Sequence, residues 1–127
     1  MTITKKLMVA VLALGIAGTA MADVARSHFT RGITDREPVD HLTTASNITP
    51  LFFFTELVDM AGTEVTHRWR FEGQIMADVT FQVEGPRWRV YSSKELVPEW
   101  NGLWTVEVLG PQGNPLTRSS ISVLIDR

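Results

Sequence analysis

The stretch Glu64-Val65-Thr66-His67-Arg68-Trp69-Arg70-Phe71 alternates at a period of two. After Glu72-Gly73-Gln74 the alternation resumes in Ile75-Met76-Ala77-Asp78-Val79-Thr80-Phe81-Gln82-Val83. Strict alternation of this kind is the mark of a half-buried strand, and two such runs across a glycine-bearing turn read as a β-hairpin. Residues directly opposite in an antiparallel pair share a face. A three-residue loop over 72–74 pairs Phe71 with Ile75, Trp69 with Ala77, His67 with Val79 and Val65 with Phe81. It also pairs Arg68 with Asp78 and Thr66 with Thr80 on the other face. A two-residue loop puts Trp69 opposite Met76 and His67 opposite Asp78, which mixes the faces. One buried face favours the first register.

Working outward, five further strands are expected, at Val24–Ile33, Leu51–Val58, Arg87–Ser93, Leu103–Leu109 and Leu116–Ile125. Gly62, Gly85-Pro86, Asn101-Gly102 and Gly110-Pro111 punctuate them. Seven short strands in about 100 residues predict an all-β fold, an antiparallel sandwich of immunoglobulin-like or fibronectin-type order. The tight central hairpin favours the fibronectin-type arrangement. Strands one, two and five then form one sheet, and three, four, six and seven the other. Trp69 occupies the place where such folds bury a tryptophan.

The chain has 127 residues, 44% of them hydrophobic, with no cysteine. That excludes a disordered chain, a collagen and a disulfide-stapled miniprotein. Residues 1–22 read as a secretory signal peptide. Lys5 and Lys6 precede the apolar run Leu7–Ala17, and Ala20-Met21-Ala22 supplies the small-residue cleavage site. The apolar run is short for a membrane span. The expected mature chain, residues 23–127, is then one β-sandwich domain with no membrane insertion, in the periplasm or secreted. Losing both leader lysines leaves ten basic against 14 acidic side chains, a net charge of −4. That balance gives no general electrostatic reason to bind nucleic acid. Lys94 is the one lysine left, so arginine carries the positive charge.

Several segments together resemble a family of small exported bacterial domains of unknown function. They are Asp35-Arg36-Glu37-Pro38-Val39-Asp40, Phe53-Phe54-Thr55-Glu56-Leu57, Val65-Thr66-His67-Arg68-Trp69 and Gly85-Pro86-Arg87-Trp88-Arg89-Val90. Phe29-Thr30 and Ser92-Ser93-Lys94 belong to the same likeness. It covers nearly the whole mature chain and implies a bacterial envelope protein. It implies no activity, so no catalytic residue follows from it.

The chemistry-bearing residues point to binding. With Leu51, Phe53 and Leu57 inside, Phe52 and Phe54 face outward; with Trp88 and Val90 inside, Arg87, Arg89 and Tyr91 face outward. Aromatic side chains and arginine are what interface hot spots are built from. The opposing reading covers the rings with the long loop and pairs the arginines with Glu56 and other acids. Trp100 fits no inward strand position, so it is an exposed anchor or, slightly favoured, a lid on the sandwich end. Thr34–Pro50 lacks alternation, and so long a loop is functional or holds structure of its own. Asp35, Arg36, Glu37 and Asp40 make it a candidate recognition loop; the alternative is a corner in which Arg36 pairs a carboxylate and Pro38 fixes the turn.

No metal-ligand spacing, cofactor motif or nucleophile elbow occurs. The expected function is a non-catalytic module binding an envelope protein or polysaccharide. The competing reading is a small hydrolase or metal-dependent enzyme centred on His67, Ser92 and Asp35. His67 shares parity with Trp69, so it points inward, where it could bond a hydroxyl or a carbonyl.

Overall fold

The computed structural model describes residues 22–127. The leader expected over 1–22 lies, apart from Ala22, outside them. Ten strands follow in order: β1 Asp23–Thr30, β2 Ile33–Thr34, β3 Glu37–Pro38, β4 Thr44–Ser46, β5 Leu51–Val58, β6 Glu64–Phe71, β7 Gln74–Gln82, β8 Arg87–Lys94, β9 Gly102–Leu109 and β10 Pro115–Leu124. A three-residue 3-10 turn, Pro98–Trp100, precedes β9.

Two sheets face each other, one ordered β1-β5-β8 and the other β4-β10-β9-β6-β7. The seven expected strands divide between them as the fibronectin-type order predicts. The additions come from the long loop. It forms a small hairpin, β2–β3, and then the short strand β4, which pairs in parallel with β10. The loop thus holds structure of its own, as its length requires.

The central hairpin keeps its faces by a route that sequence alone does not reveal. Glu72 and Gly73 both have positive φ, 48° and 86°. They close a two-residue turn, so Phe71 faces Gln74 and Arg70 faces Ile75. A bulge between Trp69 and Arg70 then skips one residue, and Trp69 meets Ala77, His67 meets Val79 and Val65 meets Phe81. The expected Phe71–Ile75 pair is therefore replaced. The other five pairs stand, because the bulge absorbs the odd residue that would have turned the core side outward.

The core lies between the sheets. Leu51, Phe53 and Leu57 of β5 meet Val65 and Trp69 of β6, Trp104 and Val106 of β9, and Ile121 and Val123 of β10. Aromatic rings meet edge to face, Phe29 on Phe53 at 4.8 Å and Trp69 on Trp104 at 6.3 Å. That geometry suits the ring quadrupoles. With no cysteine in the chain, this packing holds the sheets together.

Candidate functional site

The outer face of the β1-β5-β8 sheet carries the arginines. Register puts Arg26 beside Glu56 and His28 beside Phe54 across β1 and β5. It puts Phe54 beside Tyr91 and Glu56 beside Arg89 across β5 and β8. The β2–β3 hairpin folds back so that Glu37 reaches the same face.

An alternating ladder of charge results. Glu37 accepts from both terminal nitrogens of Arg26, at 2.7 and 2.9 Å, and from Arg89 Nη1 at 2.6 Å. Glu56 accepts from Arg26 Nε at 2.7 Å and from Arg87 Nε at 2.8 Å. The order is Arg89–Glu37–Arg26–Glu56–Arg87, spanning all three strands and the hairpin. These two-point pairings use the planar guanidinium fork as a lysine could not. Hydrogen bonds from Arg26 and then Arg89 hold the Glu37 carboxyl at about 2. The Arg87 guanidinium, with Arg26 behind it, holds Glu56 below the usual carboxylate range.

This ladder corrects the expected aromatic platform. Phe54 points away from the core but is fully buried, with the Arg26 guanidinium 5.0 Å above its ring. Phe52 is half-buried, leaning on Tyr91 at 6.3 Å between centroids. Tyr91 alone of the three rings is well exposed. Arg26, the residue that seals Phe54, escapes a sequence reading that follows only β5 and β8. Its signal was the alternation of β1, which puts it on the face opposite Phe29.

The loop residues separate by role. Asp40 accepts from the Thr30 hydroxyl at 2.7 Å and from the Arg31 backbone N–H at 3.0 Å, and so closes the corner. Glu37 belongs to the ladder. Asp35 and Arg36 form the exposed hairpin tip, with φ of 52° and 63°. The alternative reading of the loop has Arg36 pair a carboxylate in a self-satisfied corner; it has no carboxylate partner among the described residues, and Asp40, held by Thr30 and Arg31, closes the corner instead. Arg36 joins Arg87, Trp88 and Arg89 in lining a cavity of about 300 Å³. Trp100 stands apart, near the far end of β8. Its carbonyl accepts from Trp104 Nε1 at 2.9 Å and Lys94 Nζ lies 4.7 Å from its ring centre, an arrangement that fits the lid.

A positive φ at both turn positions suits asparagine and glycine and strains other residues by about 1 kcal/mol each. Arg36→Gly is therefore expected to raise stability by about 0.5–1 kcal/mol. Urea unfolding midpoints of the two proteins check this; a lower midpoint would mean that the Arg36 side chain holds the hairpin down.

His67 occupies a different setting. It is wholly buried between the sheets. Its Nε2 lies 3.0 Å from Thr55 Oγ1 and its Nδ1 2.7 Å from Ser92 Oγ, which also accepts from Trp69 Nε1 at 3.0 Å. Trp69 donates to Ser92, and the neutral ring of His67 donates through one nitrogen and accepts through the other, each to a hydroxyl. No buried side-chain polar atom among the described residues lacks a partner. Burial pushes the His67 pKa down to about 3, so the ring is neutral. Ser92 and His67 are thus brought together, but both ring nitrogens are taken by hydroxyls. Asp35 sits at the exposed hairpin tip and does not join them. Among the described residues, no group of three or more His, Cys, Asp or Glu side chains is placed to hold a metal. Ser92→Ala orphans a buried indole N–H and a ring nitrogen, at about 1–3 kcal/mol each. A loss of roughly 2–4 kcal/mol in urea unfolding is the expected result, and a loss below 1 kcal/mol would contradict this bonding scheme.

A family model described as a protein of unknown function (DUF2914) matches residues 62–123, which run from the turn before β6 into β10. No curated protein matches the chain. Among solved structures, an immunoglobulin-like protein from Pseudomonas aeruginosa superposes with a TM-score of 0.50 at 13% identity, over 84% of this chain and 99% of that one. The alkylpurine DNA glycosylase AlkC of Pseudomonas fluorescens, bound to DNA containing an abasic site analog, also superposes with a TM-score of 0.50 at 13% identity. It is matched over 90% of this chain, which spans 33% of that protein. At such identity the likeness carries the fold alone. The two facing sheets, their strand order and these neighbours make the chain an all-β sandwich of the immunoglobulin-like kind.

Proposed function

We propose that the chain is an exported module of the bacterial envelope that binds an envelope protein or polysaccharide without transforming it. In this reading it is cleaved after Ala22, and its partner sits on the outer face of the β1-β5-β8 sheet. The observation that carries the reading is the cavity between Arg36, Arg87 and Arg89. Arg87 and Arg89 are held in place by Glu56 and Glu37, while Arg36 reaches the same cavity with no carboxylate of its own. A rigid group of guanidinium donors beside one uncommitted arginine is suited to recognition. Phe54 contributes by supporting Arg26, not by touching the partner.

The test uses the full chain, made with its own leader and purified as the cell processes it. An N-terminal sequence starting at Asp23 is expected. Immobilised on a support, the protein is expected to retain one defined envelope component, and Arg36→Gly and Arg89→Gln to lose it while still unfolding cooperatively. Undiminished capture by both variants would remove this face from the reading.

A second reading, a hydrolase centred on His67, draws on the 2.7 Å Ser92–His67 hydrogen bond. It requires a substrate to reach a ring with no exposed surface. Hydrolysis of a generic ester by the wild type, abolished in Ser92→Ala, would favour it over binding.

A further inference from the structure

Resting on that reading, we infer that the cavity lined by Arg36, Arg87, Trp88 and Arg89 takes a carboxylate-bearing sugar ring, a uronate unit of an acidic polysaccharide. Four observations lead there. The first is charge. Residues 23–127 carry −4 overall, yet on this face and the hairpin tip Arg26, Arg36, Arg87 and Arg89 match Asp23, Asp35, Glu37 and Glu56 one for one, and Arg36 alone of the four arginines has no carboxylate partner among the described residues. An anion is therefore drawn to the one unpaired guanidinium, against the net charge of the molecule. The second is shape of charge. All the cations are guanidinium groups, whose planar fork matches a planar carboxylate at two points.

The third is size. At about 300 Å³ the cavity lies at the small end of ligand pockets, with room for one ring and not for a folded segment. The fourth is what lies beside it. Tyr91 follows Arg89 two residues along β8, on the same face and exposed. Two residues of strand advance about 6.6 Å, the order of one sugar unit, so Tyr91 can serve as a flat support for the next ring. A protein partner would need a buried apolar centre to its interface. Of the large apolar side chains that are well exposed, this face and its hairpin offer only Tyr91 and Val39. An acidic peptide therefore fits less well than an acidic glycan.

Calorimetric titration of the processed full chain tests this with three probes: trigalacturonate, its fully methyl-esterified form and pentaglutamate. Trigalacturonate is expected to bind, at least tenfold more tightly than either other probe, and to weaken with added salt. Arg36→Gly and Arg89→Gln are each expected to weaken it at least tenfold, and Tyr91→Ala severalfold. Equal binding of the methyl ester would overturn the carboxylate assignment. Equal binding of pentaglutamate would overturn the glycan in favour of an acidic peptide. Absence of trigalacturonate binding, with envelope capture still lost in the arginine variants, would overturn this inference and leave the binding face standing. Trigalacturonate binding and envelope capture both unchanged in those variants would remove the face itself.

Discussion

Acidification from pH 6.5 to about 4.5 is expected to cost this domain about 2–3 kcal/mol of stability, well before most carboxylates titrate. The cause is His67. Its ordinary value is 6.5, and burial lowers it to about 3 in the folded protein. Below pH 6.5 the unfolded chain takes up a proton at this position that the folded chain refuses. Stability contributed by the neutral ring is therefore complete above 6.5 and lost progressively as pH falls towards 3, at about 1.4 kcal/mol per pH unit. His28, desolvated and stacked on His41 at 3.7 Å, is pushed the same way and adds to the slope. The carboxylates act later. Glu37, held at about 2 by Arg26 and Arg89, and Glu56, held low by Arg87, lose their pairing stability only as pH falls below about 4.5. Urea midpoints measured from pH 7.5 to 4.5 check this, with His67→Leu alongside. The variant is expected to show most of the slope removed. An unchanged slope would move the proton uptake away from His67.

The second large effect is expected at Trp104. Trp104→Ala should cost about 3–5 kcal/mol, the range for emptying a large aromatic site in a packed core. The side chain is fully buried, and three other rings rest on it: Trp69 at 6.3 Å, Phe71 at 5.2 Å and Trp100 at 6.1 Å. Its indole N–H also fixes the 3-10 turn by donating to the Trp100 carbonyl. Trp104→Phe separates the two contributions. It keeps most of the packing and loses the hydrogen bond, so about 1–2 kcal/mol is expected there. Against a total of roughly 5–15 kcal/mol, the alanine variant should be partly unfolded at 37 °C. A cost below 2 kcal/mol for alanine would show that Trp100 or Phe71 collapses into the vacated space.

Both effects arise in the part of the fold that the sequence discloses best. Alternation places His67 and Trp69 on the core side of β6, and the tight hairpin that follows, read with a fibronectin-type order, divides the seven main strands between the sheets. Simple parity says which side of a strand a residue takes, because successive side chains must point opposite ways. It does not say what lies above that side. Phe54 has outward parity and is nonetheless buried, since Arg26 and the β2–β3 hairpin close over it. The hairpin itself was hidden because its tip, Asp35-Arg36, lacks the Asn-Gly or Asp-Gly pair that announces a two-residue turn. The bulge at Trp69 was hidden for a related reason. Two compensating irregularities, a short turn and an extra residue, leave the same face pattern as one regular loop. The candidate site was half legible. Arg87, Arg89 and Tyr91 follow from the parity of β8, whereas the approach of Arg36 and the part of Arg26 depend on a chain reversal over the sheet that no local pattern encodes.

The pairing of β4 with β10 has a consequence for the order of assembly. Thr44–Ser46 forms its ladder with Ser122–Leu124, and Asn47 bonds the backbone and side chain of Asp126. A chain synthesised N-terminus first carries these residues unpartnered until β10 appears. Closing a loop of that span is slow compared with forming the hairpins between. β1, β5 and β8 can associate early, but the second sheet gains β4 only once β10 has emerged. A molecule cut before Ser122 would keep most of its strands and lose the seam that ties the loop after β3 to β10.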